Sequence, residues 1–96
     1  MTPIWSPEAI DDLAALREFI ELDDPAAAHR VALHIVENVE TLLPANLNMG
    51  RPGRVPGTRE LVIPNTPYIV PYRVIDNTIQ ILRVYHGARR WPRSFR

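Results

Sequence analysis

The sequence predicts an α+β fold of order β-α-α-β-β-β: a helix hairpin packed on one face of a small antiparallel sheet, in a single domain spanning 1–96. Three observations predict it. Apolar residues recur at helical spacing between Ile10 and Leu42. A proline- and glycine-rich stretch interrupts the chain over residues 44–57. Beyond it, runs of β-branched and aromatic residues have the length of strands. A chain of 96 residues that is 46% hydrophobic and 23% charged suits one packed domain and excludes general disorder.

Residues 2–5 make a short first strand. Ser6-Pro7-Glu8 is a helix start, with a serine oxygen to cap, proline in the first turn and an acid at the positive end of the helix dipole. Ile10, Leu13, Leu16, Arg17 and Ile20 then share one face, while Glu8, Asp11, Asp12 and Glu18 point elsewhere. Asp23-Asp24-Pro25 stops this helix and starts a second, with Asp24 as the cap. Its apolar stripe is Ala28, Val31, Ala32, Ile35, Val39 and Leu42, and Pro44 ends it. The tight acidic turn makes the two helices antiparallel. Strands are expected at Thr58–Ile63, Tyr68–Ile75 and Thr78–His86, with Asp76-Asn77 as the turn of a hairpin. Pro71 lacks a ladder donor, so a bulge or an open ladder is expected beside it. Because a two-helix excursion reverses the chain, the first strand is expected to join the sheet antiparallel. The face away from the helices is expected to stay open and arginine-bearing.

The formal net charge of zero hides a split. Residues 1–48 carry two arginines and nine acids, a net charge of −7, whereas residues 49–96 carry nine arginines and two acids, a net charge of +7. All eleven basic residues are arginine. Chemistry that needs a lysine, such as a Schiff base or a P-loop phosphate grip, is therefore excluded. There is no cysteine, hence no disulfide framework and no thiol nucleophile. His29 and His34 lie five residues apart on the second helix and share no face, so neither a metal nor a cofactor is expected. No apolar stretch approaches the roughly 20 residues that span a bilayer, and the N-terminus does not read as a signal peptide.

Three groups of residues carry candidate chemistry. Arg51, Arg54 and Arg59 enter the second strand through the Pro/Gly-rich segment and offer planar forks for carboxylates or phosphates. Singly, such arginines balance the acidic helices as solvated surface; nine in one half favour an interaction role. Arg83 and His86 close the last strand, where histidine suits general acid–base work and arginine suits a developing anionic charge. The tail, with Arg89, Arg90, Trp91, Arg93, Phe95 and Arg96, combines cations with aromatic anchors; Trp91 and Phe95 either meet a partner or fold back on the domain. Phe19 and Leu33 fall off the apolar faces of their helices.

Trp5-Ser6-Pro7-Glu8-Ala9-Ile10-Asp11-Asp12-Leu13, Asp24-Pro25-Ala26-Ala27-Ala28, Gly50-Arg51-Pro52-Gly53-Arg54, Gly57-Thr58-Arg59-Glu60-Leu61 and Ile81-Leu82-Arg83-Val84-Tyr85-His86-Gly87-Ala88-Arg89-Arg90-Trp91-Pro92 together resemble the RelE/ParE toxins of type II toxin–antitoxin systems, on the ParE side. The resemblance covers nearly the whole chain. It implies the fold read above, a bacterial cytoplasmic setting without membrane attachment, and neutralisation by a ParD-like antitoxin through which DNA is met indirectly. ParE-like members inhibit DNA gyrase, which implies a non-enzymatic toxin whose target-binding surface is Arg83, His86, Arg89, Arg90 and Trp91. RelE-like members cut mRNA on the ribosome; in that alternative Glu60, Arg83 and His86 form the catalytic set. The cleaving branch uses basic residues, often lysines, which this chain lacks, and Tyr68-Ile69 stands where that branch carries one more. The antitoxin is expected at Phe19 and Leu33 on the helix hairpin and at Arg51, Arg54 and Arg59 on the sheet edge.

Overall fold

The computed structural model describes residues 1–95; Arg96, the last arginine of the basic tail, lies outside the described residues. Ser6 starts the first helix, its Oγ accepting the Ala9 N–H at 3.0 Å. Helix α1 runs Pro7–Glu21. Asp24 caps α2, Pro25–Glu37, by accepting the Ala27 N–H at 3.0 Å. Ala9, Leu16, Ala28 and Ile35 are the buried positions of the pair, with Leu13, Ile20 and Val31 packed at the margin of the core. Ile10, expected on the buried face, is exposed.

Pro44 does not end the second helix. The chain passes from α2 into a π-helical turn, Asn38–Leu42, and then into a short helix α3, Leu43–Ala45. Proline is tolerated there because it stands in the first turn of α3, where no helical donor is required. The wider π turn also rotates the stripe, so that Leu43 enters the core while Leu42 faces outward.

The strands are β1 (Ile4–Trp5), β2 (Arg51–Pro52), β3 (Arg59–Val62), β4 (Tyr68–Ile75), β5 (Thr78–Ile81) and β6 (Tyr85–His86). They form one sheet in the order β1-β5-β4-β3-β2, with β6 also on β4. The expectation of a wholly antiparallel sheet is corrected here: β1 pairs β5 in parallel, with Ile4 opposite Gln80 and Trp5 opposite Ile81. The helix excursion does reverse the chain between β1 and β2. Those strands lie at opposite edges, however, and the neighbour of β1 is the later strand β5, which runs its way. Between β4 and β5, Asp76 and Asn77 both take positive φ, 51° and 61°, the conformation of a tight two-residue hairpin turn.

The last strand is broken, and Pro71 lies at the break. Tyr72 pairs with Ile81 and Ile69 with Tyr85, so Leu82, Arg83 and Val84 stand opposite only Val70 and Pro71. The Pro71 carbonyl accepts the Leu82 N–H at 3.0 Å, so its missing donor faces the same side, where the bulge requires none. Tyr68, Val70 and Tyr72 of β4 point into the helix-facing core with Leu61, Ile63, Ile79 and Ile81. The alternate residues Ile69 and Pro71 are also buried, as are Val55, Leu82 and Tyr85, outside that core. The face expected to be open is covered only in part: Trp91 and Phe95 fold back over Tyr85 at one end, while Ile4, Val62 and Ile75 on the same face stay exposed.

Candidate functional site

The bulge at residues 82–84 leaves buried polar groups that no strand can satisfy, and the start of α1 supplies their partners. Ser6 donates its N–H to the Ile81 carbonyl at 2.9 Å and its hydroxyl to the Leu82 carbonyl at 2.7 Å. Asp12 accepts the Val84 N–H at 3.0 Å. The same carboxylate takes the Arg83 fork side-on, Nε to Oδ2 at 2.7 Å and Nη2 to Oδ1 at 2.9 Å. The two side chains are only 25% and 16% exposed. The hydrogen bonds that Arg83 donates to Asp12 outweigh the effect of burial and hold the guanidinium above its already high ordinary pKa.

From that clamp a cation–aromatic stack extends along the tail. The Arg83 guanidinium lies 4.7 Å from the Tyr85 ring centroid and that of Arg89 4.2 Å. Trp91 meets Tyr85 edge-on at 5.1 Å, and the Arg54 guanidinium lies 3.9 Å over the Trp91 ring. A cleft of about 610 Å³ opens beside the stack, lined by Ser6, Glu8, Arg83, Arg89, Arg90 and Trp91 among others. The Trp91 indole N–H is buried at its wall and has no partner among the described residues. Four of the five residues expected to form the target-binding surface thus share one cleft. His86 lies outside its lining: it is exposed, its Nδ1 accepts the Ala88 N–H at 3.1 Å, and its ring meets Tyr68 edge-on at 5.8 Å.

Glu60 organises a second cluster. It is 2% exposed and receives Arg51 Nη2 at 3.0 Å, Arg54 Nε at 3.1 Å and the Arg54 backbone N–H at 2.7 Å. Burial alone would push its pKa up, but these donors more than offset that and hold the carboxyl below its ordinary value. A carboxylate so held is a weak proton acceptor. Arg59 is occupied separately, donating Nη1 to the Gly50 carbonyl at 2.6 Å. Among the described residues no hydrogen bond joins Glu60, Arg83 and His86; each has its own partners.

The outer face of the helix hairpin carries the remaining candidates. Phe19 is 70% and Leu33 56% exposed. Leu33 lines a shallow groove of about 370 Å³ between α1 and α2 with Ile10, Leu13, Ala14, Arg17 and Ala32. Phe19 stands outside it. Asp12 is the residue that sequence reasoning missed. Its signal was the spacing Ala9, Asp12, Leu16, which places the acid on the buried stripe.

The molecule is thus a helix hairpin on a small mixed sheet, with an arginine-rich cleft at the broken last strand. Residues 4–91 match the family described as the ParE toxin of type II toxin–antitoxin system, parDE. Y4kP of Sinorhizobium fredii, which carries a toxin name, is 44% identical over 90 residues, covering 92% of this chain and 90% of that protein. Toxin RelE2 of Caulobacter vibrioides is 34% identical over 88 residues, covering 90% of this chain and 94% of the relative. Among solved structures, a chain of the chromosomal ParDE system of P. aeruginosa superposes with a TM-score of 0.81 at 36% identity, over 90% of this chain and 95% of that one. A chain of the RelBE2 toxin–antitoxin complex of Mycobacterium tuberculosis gives a TM-score of 0.64 at 28% identity, over 88% and 95%. The chain belongs to the ParE toxin family, within the RelE/ParE superfamily of type II toxins. Among the described residues no helix is long and apolar enough to cross a membrane.

Proposed function

We propose that residues 1–96 act as one cytoplasmic toxin domain that inhibits DNA gyrase by binding it and is neutralised by a ParD-like antitoxin. The observation that carries the choice of a binding mechanism is the state of the acid–base groups. Glu60 is committed to Arg51 and Arg54 and Arg83 to Asp12, while His86, whose Nδ1 accepts the Ala88 N–H, makes no hydrogen bond to any of them among the described residues. The absence of lysine points the same way. The target-binding surface in this reading is Arg83, Arg89, Arg90 and Trp91 at the cleft, with His86 at its edge.

The antitoxin in this reading seats apolar anchors on Phe19, Leu33 and the groove beside Leu33, and its acids meet Arg51, Arg54 and Arg59. Half of the Arg51 side chain remains exposed beyond its bond to Glu60, which leaves it free to steer an acidic segment. DNA is met through the antitoxin. The second reading, a ribosome-dependent endoribonuclease, is favoured by the likeness to toxin RelE2 and by Arg83 and His86 flanking one strand end. Brief induction without antitoxin separates them. DNA-damage signalling with cleaved gyrase–DNA complexes is the expected result; immediate translation arrest would replace the first reading by the second.

A further inference from the structure

The geometry points to Asp12 as the positioning residue of the cleft surface: through Arg83 and the Val84 amide it fixes the broken strand end from which Tyr85, Arg89 and Trp91 are displayed. The toxicity arm of this inference rests on the function proposed above; the structural arm does not.

The sheet cannot hold residues 82–84 by itself. Three residues there face two on β4, and only the Leu82 N–H finds a strand partner, on Pro71. Val84 is buried, and its N–H is met by a side chain that comes from 72 positions earlier in the chain. One carboxylate therefore does two separable things. Oδ2 closes the ladder where the bulge opens it, and the pair of oxygens orients the Arg83 fork so that its carbon stands 4.7 Å from Tyr85. Tyr85 in turn is the ring on which Arg89, Trp91 and Phe95 converge. Releasing the clamp loosens the one end of the tail that regular structure anchors.

The two tasks predict different outcomes for two substitutions. Asp12→Asn keeps an oxygen for the Val84 N–H and loses the charge that holds Arg83. Asp12→Ala loses both. Amide hydrogen exchange on the intact chain reads the structural arm, with Val70 and Ile79 as core references. In Asp12→Ala the amides from Val84 to Arg89 are expected to exchange at least tenfold faster, with Val70 and Ile79 unchanged. In Asp12→Asn the Val84 amide is expected to stay within about threefold of the parent rate. Growth arrest is expected to fall for both substitutions and to persist in Asp11→Ala, an exposed neighbour on the same helix.

Exchange that accelerates equally at Val70, Ile79 and the tail would make Asp12 a general stability residue and overturn the inference. Unchanged exchange in Asp12→Ala would overturn it as well. Faster tail exchange with undiminished growth arrest in Asp12→Ala and Arg83→Ala alike would leave the positioning role standing and remove the cleft from the proposed function.

Discussion

Replacing Glu60 by glutamine perturbs one buried oxygen pair and nothing of its volume, so its cost can be worked from the contacts. Glutamine keeps one acceptor, which suits the Oε1 position and its arginine donors. Its NH2 group then stands where Oε2 accepted the Arg54 backbone N–H at 2.7 Å and Arg54 Nε at 3.1 Å. Donor meets donor, and a part-buried backbone N–H loses its partner, a loss of about 1–3 kcal/mol. Loss of charge assistance adds to this, but the Arg51 and Arg54 side chains are 53% and 43% exposed and can rehydrate, so that contribution is discounted to about 0.5 kcal/mol. The expected total is about 1.5–3.5 kcal/mol, or roughly 6–28 °C in Tm for a domain of this size. The pH dependence supplies an independent check. The folded pKa of Glu60 lies below its ordinary value, so between the two values the unfolded chain binds more protons and stability rises with pH. The contribution is complete above the unfolded value of 4.5 and is lost as pH falls through the lower folded value. Chemical denaturation of parent and Glu60→Gln from pH 3 to pH 7, a window of about four units around the ordinary carboxylate range, should show a flatter acid limb in the variant. A loss below about 0.5 kcal/mol at neutral pH, or identical acid limbs, would show that the Glu60 carboxylate does not hold this segment.

Two further outcomes follow from single contacts. Tyr72→Phe should cost about 1–3 kcal/mol by urea denaturation, because the buried Tyr72 hydroxyl accepts the Gly50 N–H at 2.9 Å and donates to the Leu47 carbonyl at 2.8 Å, pinning the loop before β2. Phe19→Asp should raise the antitoxin dissociation rate roughly tenfold or more while growth arrest persists, since truncating an exposed apolar anchor acts on dissociation. Arg51→Ala or Arg54→Ala should instead slow association and weaken its salt dependence, both read by surface-immobilised kinetics at two ionic strengths.

What the sequence made legible was local. Ser6 and Asp24 cap their helices because their oxygens reach amides three residues on, and β4 runs Tyr68–Ile75 because its β-branched and aromatic run ends at the turn Asp76-Asn77. Pro71 announced the ladder defect by lacking a donor. What stayed hidden depends on residues far apart in the chain. The Asp12–Arg83 clamp joins positions 71 apart, and no periodicity of either segment names the other. The parallel pairing of β1 follows from which edge it reaches, which a count of chain reversals does not determine. The partial cover of the second face depends on Trp91 finding Arg54 and Tyr85, a contact that composition does not show. The π turn at Asn38, after which Leu43 and not Leu42 is buried, was likewise outside what the helical period shows.

In the proposed function the toxin acts by binding, through the arginine–aromatic cleft beside the broken last strand. Purified protein mixed with purified gyrase and relaxed plasmid tests it most directly. Loss of supercoiling and accumulation of gyrase-linked cleaved DNA are expected with the parent chain, and normal supercoiling with a folded variant carrying Arg89→Ala and Arg90→Ala. Unimpaired supercoiling by the parent chain, together with cleavage of ribosome-bound mRNA by the same preparation, would contradict it.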